Sequence, residues 1–174
     1  FASGRSEPRH KPLPVEIPRY STPFVGRSQD LETLEDWLSD PDCQVITIIG
    51  PGGSGKTRLA ARLAENQHTV FPGGVYFISF AGCSDRDAMV SNILEKVSVQ
   101  GERSTDHLKE LLEWADNRRA LMILDNVEDC AQAAEIATSL VEVSPYLLLV
   151  FTSYNRLDLI GERVHDLGLS TECR

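Results

Sequence analysis

Val45-Ile46-Thr47-Ile48-Ile49-Gly50-Pro51-Gly52-Gly53-Ser54-Gly55-Lys56-Thr57 reads as a buried strand, a glycine-rich turn and the first residues of a helix. The β-branched run favours an extended backbone. The last eight residues match G-x-x-x-x-G-K-[ST], whose meaning depends on a strand before it and a helix after it. Glycines let the chain turn so tightly that successive N–H groups face inward as a nest for phosphate oxygens. The helix that follows adds its positive end. On this reading Pro51, Gly52, Gly53, Ser54, Gly55 and Arg58 belong to the phosphate-binding segment. Lys56 neutralises the β- and γ-phosphates, and the Thr57 hydroxyl ligates Mg²⁺.

Working outward, strand and helix signals alternate, which argues for a parallel sheet covered by helices. Ser28 is positioned to cap a helix through Leu38, and Gly55 to about His68 reads as the helix after the loop, with Leu59, Leu63 and Val70 at core spacing. Ser84 is placed to cap a helix to about Val97, Ser104 or Thr105 another to Ala115, and Cys130–Val143 forms a last one. Further strands are expected at Val75–Phe80, Ala120–Leu124, Leu147–Phe151 and Arg163–Leu167. Runs apolar on both faces suit a sheet buried on both sides. The fold class is α/β: a three-layer sandwich around a five-stranded parallel sheet.

The chain has 174 residues and a formal charge of −9. Residues 1–20 hold Arg5, Arg9, Lys11 and Arg19 against Glu7 and Glu16, so the remainder carries −11. So acidic a body argues against broad contact with nucleic acid or anionic lipid. Five prolines (Pro8, Pro12, Pro14, Pro18, Pro23) crowd the start. Residues 1–20 therefore read as a proline-rich linker or tail, and 21–174 as the nucleotide-binding domain. Cys43, Cys83, Cys130 and Cys173 form no C-x-x-C pair and are read as reduced thiols of a cytoplasmic protein. No apolar run is long enough to span a bilayer. The chain opens on Phe1, so a fragment of a longer protein is expected.

A phosphate loop of this class needs an acid on a neighbouring strand to hold the Mg²⁺ shell. Asp125, ending the apolar strand Ala120–Leu124, reaches the sheet edge where open α/β sheets bind ligands. Asn126 follows it; an amide positions water but does not take its proton, so weak hydrolysis is expected, with Glu128 or Asp129 as substitutes. Thr152 and Ser153, at the end of another strand, are candidate γ-phosphate sensors or strand-end caps. Arg118 and Arg119 fall at the opposite edge and read as solvated surface.

With Phe24-Val25-Gly26-Arg27, the phosphate loop, Phe71-Pro72-Gly73-Gly74, Leu124-Asp125-Asn126 and Phe151-Thr152-Ser153 in that order, the chain from Thr22 onward resembles the nucleotide-binding module of STAND ATPases, which include NB-ARC proteins and bacterial LuxR- and AfsR-type regulators. The resemblance implies strand order 5-1-4-3-2, ATP or ADP with Mg²⁺, and packing of Val25, Gly26 and Arg27 on the adenine and sugar. It implies catalytic roles for Lys56, Asp125 and Asn126. It further implies a helical lid, a winged helix and sensor repeats beyond Arg174, and oligomerisation on activation. Tyr154 departs from the pattern: relatives carry Thr-Ser-Arg, whereas here an arginine, Arg156, comes two residues later.

The expected function is an ATP/ADP-binding switch module of a larger signalling protein, with slow Mg²⁺-dependent hydrolysis at most. The alternatives are a scaffold that holds ADP without hydrolysis, to which Asn126 and Tyr154 lend weight, and a small-molecule phosphotransferase. The last needs an arginine-rich acceptor lid that residues 84–118 do not supply.

Overall fold

The computed structural model describes residues 17–22, 24, 26–97 and 105–168. Its elements are α1 (Ser28–Ser39), β1 (Val45–Ile49), α2 (Lys56–Gln67), β2 (Val75–Ser79), α3 (Arg86–Val97), α4 (His107–Ala115), β3 (Leu121–Asp125), α5 (Ala133–Val143), β4 (Leu148–Ser153) and β5 (Glu162–Asp166). The strands form one sheet of order β2-β3-β4-β1-β5. Every pairing is parallel. Read from the other edge this is 5-1-4-3-2, the expected order.

Successive side chains of a strand point to opposite faces, and here each face has its own core. Ile46, Ile48, Val75, Phe77, Leu121, Ile123 and Val150 pack with Leu34 and Leu38 of α1 and Leu59 and Leu63 of α2. Ile78, Met122, Leu124, Leu149 and Phe151 pack with Met89, Ile93, Leu111, Ile136 and Leu140 of α3, α4 and α5. That is the three-layer sandwich. Val75 pairs with Leu121, Leu121 with Leu148 and Leu149 with Val45, so the strands start nearly level and all their ends face the same way.

The structure moves several local expectations. Val70 is half-exposed rather than core, because α2 stops at Gln67 and its helical spacing no longer applies. Ser28 lies within α1, whose N-cap is Arg27 and lacks a side-chain cap. At α3 the carboxylate of Asp85, not Ser84, accepts from the Asp87 amide at 3.0 Å. At α4 Asp106, not Thr105, is the N-cap and accepts from the Lys109 amide at 3.2 Å; Ser104 lies outside the described residues. Where two cap-competent residues adjoin, a carboxylate facing the positive helix end has the stronger claim. Helix α5 begins at Ala133, three residues later than Cys130, after turns at Glu128–Asp129 and Ala131–Gln132. Cys43, Cys83 and Cys130 are free and buried, and burial pushes the Cys43 and Cys130 thiols up; Cys173 lies outside the described residues. Arg118 is not simply solvated: its guanidinium lies 4.6 Å from the Trp114 ring centroid.

Candidate nucleotide site

The loop Gly50–Gly55 joins the end of β1 to the start of α2. Gly53 and Gly55 have φ of +77° and +91°, a region that side chains disfavour. Nothing lies within 4 Å of where a Cβ would stand on either, so the loop opens onto free space there. Gly55 is the N-cap of α2 and supplies no side-chain partner, leaving first-turn amides for an incoming anion. The Ser54 amide is already used, donating to Pro51 O at 3.2 Å. Its hydroxyl Oγ is buried without a partner. Such an orphan is costly to keep and fits a loop shaped for a polar ligand.

Parallel register brings the other parts to the same edge. Ser79 lies beside Asp125, and Ile48 and Ile49 beside Thr152 and Ser153. Asp125 is 2% exposed. Thr57 Oγ1 donates toward its two carboxylate oxygens, at 2.9 and 3.1 Å. Thr152 Oγ1 donates to Asp125 Oδ1 at 2.5 Å and accepts from the Asn126 amide at 2.9 Å. The Asn126 side chain also turns inward, its Nδ2 lying 3.3 Å from Asp125 Oδ2. Asn126 has φ +58°, a conformation asparagine tolerates better than most side chains. Thr57, Asp125, Thr152 and Asn126 thus form one connected group centred on a carboxylate.

Lys56 is 6% exposed, and its Nζ donates to Gly50 O at 2.7 Å and Pro51 O at 3.0 Å. Arg27 reaches the loop from outside: Nη2 donates to Ser54 O at 3.0 Å and Nη1 lies 3.3 Å from Asp30 Oδ2. Asp30 Oδ1 is in turn 2.7 Å from His165 Nε2 on β5. A chain of polar contacts therefore ties the sheet edge to the loop backbone. Gly26 has φ +81° just before α1, and Val25 lies outside the described residues. Arg58 donates to Thr22 O, with its guanidinium 5.1 Å from the Tyr20 ring. Ser153 is buried, and its hydroxyl accepts from the Asn155 amide at 3.4 Å, as a strand-end cap does. Arg156 pairs on the surface with Asp158 at 3.9 Å. Glu128 Oε2 is buried without a partner, while Asp129 is exposed.

Two tyrosines at this edge carry no motif. Tyr154 places its ring 5.0 Å from Lys56 Nζ. Burial, and then the negative charge of Asp125, push the Tyr20 hydroxyl up, with Arg58 opposing. Among the described residues no cluster of three or more His, Cys, Asp or Glu side chains is suited to a metal. The donor set at hand is one hydroxyl and one carboxylate, which suits Mg²⁺, an ion that keeps waters and takes phosphate oxygens rather than a full protein cage.

A strand, glycine loop and helix, with a carboxylate from an adjacent parallel strand facing the loop threonine, define a P-loop nucleoside-triphosphatase module. Residues 27–166 match the NB-ARC domain, and the chain belongs to that family. It is 30% identical to the Mycobacterium tuberculosis protein Rv0894 over 158 residues, covering 88% of this chain and 40% of that protein. It is 28% identical to the regulatory protein AfsR of Streptomyces coelicolor over 172 residues, covering 90% of this chain and 17% of AfsR. The chain thus spans well under half of these relatives. Its fold is that of a Pyrococcus horikoshii signal transduction ATPase with numerous domains that carries a tetratricopeptide repeat sensor: TM-score 0.61, 22% identity, 90% of this chain and 25% of that one. Among the described residues no helix is long and apolar enough to cross a membrane.

Proposed function

We propose that this chain is the ATP- and ADP-binding switch module of a larger cytoplasmic regulatory protein, with slow hydrolysis at most. The observation that carries the reading is the meeting of the Thr57 hydroxyl and the Asp125 carboxylate, 2.9 Å apart, beside an open glycine loop. Bound Mg²⁺ would supply charge neutralisation between the β- and γ-phosphates. Thr57 and Asp125 would hold it, Lys56 would leave the loop carbonyls for phosphate oxygens, and the α2 amides would seat the β-phosphate. Gly26, Arg27 and Val25 would face the nucleoside side; the hold of Arg27 on Ser54 O favours a bracing part for it as well.

Support for slow turnover comes from an amide, Asn126, standing directly after the site carboxylate. Asn126 is committed to Asp125 and Thr152, and an amide cannot accept the proton of an attacking water. The same feature favours, as a second reading, a module that holds ADP without hydrolysing it. AfsR, by its name, is a regulatory protein, and the Pyrococcus protein carries a repeat sensor. By analogy this module would bias the arrangement of a lid, a winged helix and repeats in its own chain, and an oligomer on activation. Membrane and nucleic acid are not proposed as its partners.

Lys56→Ala tests the reading by calorimetric titration with ADP and MgATP. Binding should weaken at least about 100-fold, the loss of a buried charge-assisted contact, while the melting transition persists. Unchanged affinity for both nucleotides would refute the phosphate-loop assignment.

A further inference from the structure

We propose that Tyr154 makes this module favour a nucleoside diphosphate over a triphosphate by standing on the terminal-phosphate side of the cradle. The inference rests on the nucleotide reading above and adds a specificity-determining residue to it. A lysine ammonium has three N–H donors. Two of those on Lys56 go to Gly50 O and Pro51 O, and the Tyr154 ring, 5.0 Å from Nζ, faces the same ammonium. A cation is drawn to an aromatic face within about 6 Å, more strongly where water is excluded, and Lys56 is almost wholly buried. The Tyr154 hydroxyl lies 3.7 Å from where a Cβ on Gly52 would stand, so ring and hydroxyl together lean over the loop.

The consequences differ for two and three phosphates. The last phosphate of a diphosphate seats in the amide nest at the start of α2, below the ring. A triphosphate carries one more group outward, past Lys56 toward Thr57 and Asp125, into the volume Tyr154 overhangs. Both end phosphates draw on Lys56 Nζ, but only the oxygens of the third phosphate, at about 2.8 Å, come to it from the side the ring occupies, and there the ring must give way. Tyr154 is 53% exposed, so it swings out without disturbing the core, yet the cation–ring contact is lost when it does.

The test compares the 174-residue chain with Tyr154→Ala and Tyr154→Phe, titrating ADP and ATP in Mg²⁺ by calorimetry. Tyr154→Ala should raise the ratio of ATP to ADP affinity by about 3- to 30-fold, the range a desolvated cation–ring contact covers. Tyr154→Phe keeps the ring and should leave the ratio within about threefold of the parent. An Ala variant that binds both nucleotides with the parent's ratio, or with a lower one, overturns the proposal alone. So does a Phe variant that loses ATP selectively, because the hydroxyl would then be a phosphate donor rather than part of an obstacle. Absence of any nucleotide binding in the parent as well as the variants would overturn the proposal together with the site reading beneath it.

Discussion

The two ends of the sheet are built on opposite plans. At the amino ends of the strands, polar groups are closed on one another. Gly73 N donates to Arg119 O at 2.8 Å, Ser144 Oγ to Arg118 O at 3.3 Å, and Gln44 Nε2 to Ser144 O at 2.5 Å. Trp114 takes the edge of Tyr76 at 5.4 Å and the Arg118 guanidinium at 4.6 Å, and Arg163 closes on Asp40 at 2.6 Å. At the carboxyl ends, buried Lys56, Asp125 and Thr152 point toward an open loop, and Ser54 Oγ has no partner. Buried charges, and a buried hydroxyl with no partner, cost stability, so their concentration at one end marks where a ligand completes the structure. Changes at the carboxyl end should act on binding, and changes at the amino end on stability.

The sharpest division should come from Asp125→Asn, which keeps shape but removes the charge and turns one acceptor oxygen into a donor. MgATP affinity should fall about 10- to 100-fold, the scale seen when a metal's supporting groups are lost. In EDTA, ADP affinity should hold or rise, since a negative charge near the phosphates has gone. Equal losses with and without metal would assign Asp125 a purely structural part. At the opposite end Trp114→Ala should cost about 1–3 kcal/mol through lost ring contacts. That corresponds to about 3–10 °C in melting temperature for a domain of this size. ADP affinity should not change; a parallel drop in binding would erase the distinction between the two ends.

The smallest effect concerns Asp40. A bond from the Asp42 amide, and then Arg163, hold its carboxyl below the usual aspartate range. Its contribution is therefore present above the ordinary value near 4 and is lost as the pH falls through its lowered one. Being a surface pair, it is worth little. Asp40→Asn should slightly flatten the acid side of the stability profile and leave the plateau within about 2 °C. A large loss at neutral pH would show that the pair is more than a surface contact.

What could be read without coordinates was local. Strand, glycine loop and helix are contiguous in sequence, and Asp125 announced itself by ending the most apolar run. The strand order came from resemblance rather than periodicity, because alternation says which face a residue takes and nothing of which strand lies beside it. Contacts between distant segments were out of reach. Arg27 on Ser54 O, Asp30 beside His165 and Tyr154 against Lys56 each join residues far apart in the chain. The inward turn of Asn126 had a signal, an asparagine directly after a strand-ending aspartate, since asparagine is enriched at positive φ. Asp85 and Asp106 prevailed as caps over their serine and threonine neighbours for the electrostatic reason given above.

The most direct test is mass spectrometry of the chain under conditions that preserve bound ligands, after purification and after soaking with millimolar adenylates. The expected spectrum carries one adenine nucleotide per chain, predominantly ADP, which disappears in Lys56→Ala. A parent chain that stays bare at millimolar ADP and ATP, or a variant that carries as much nucleotide as the parent, would contradict the account at its root.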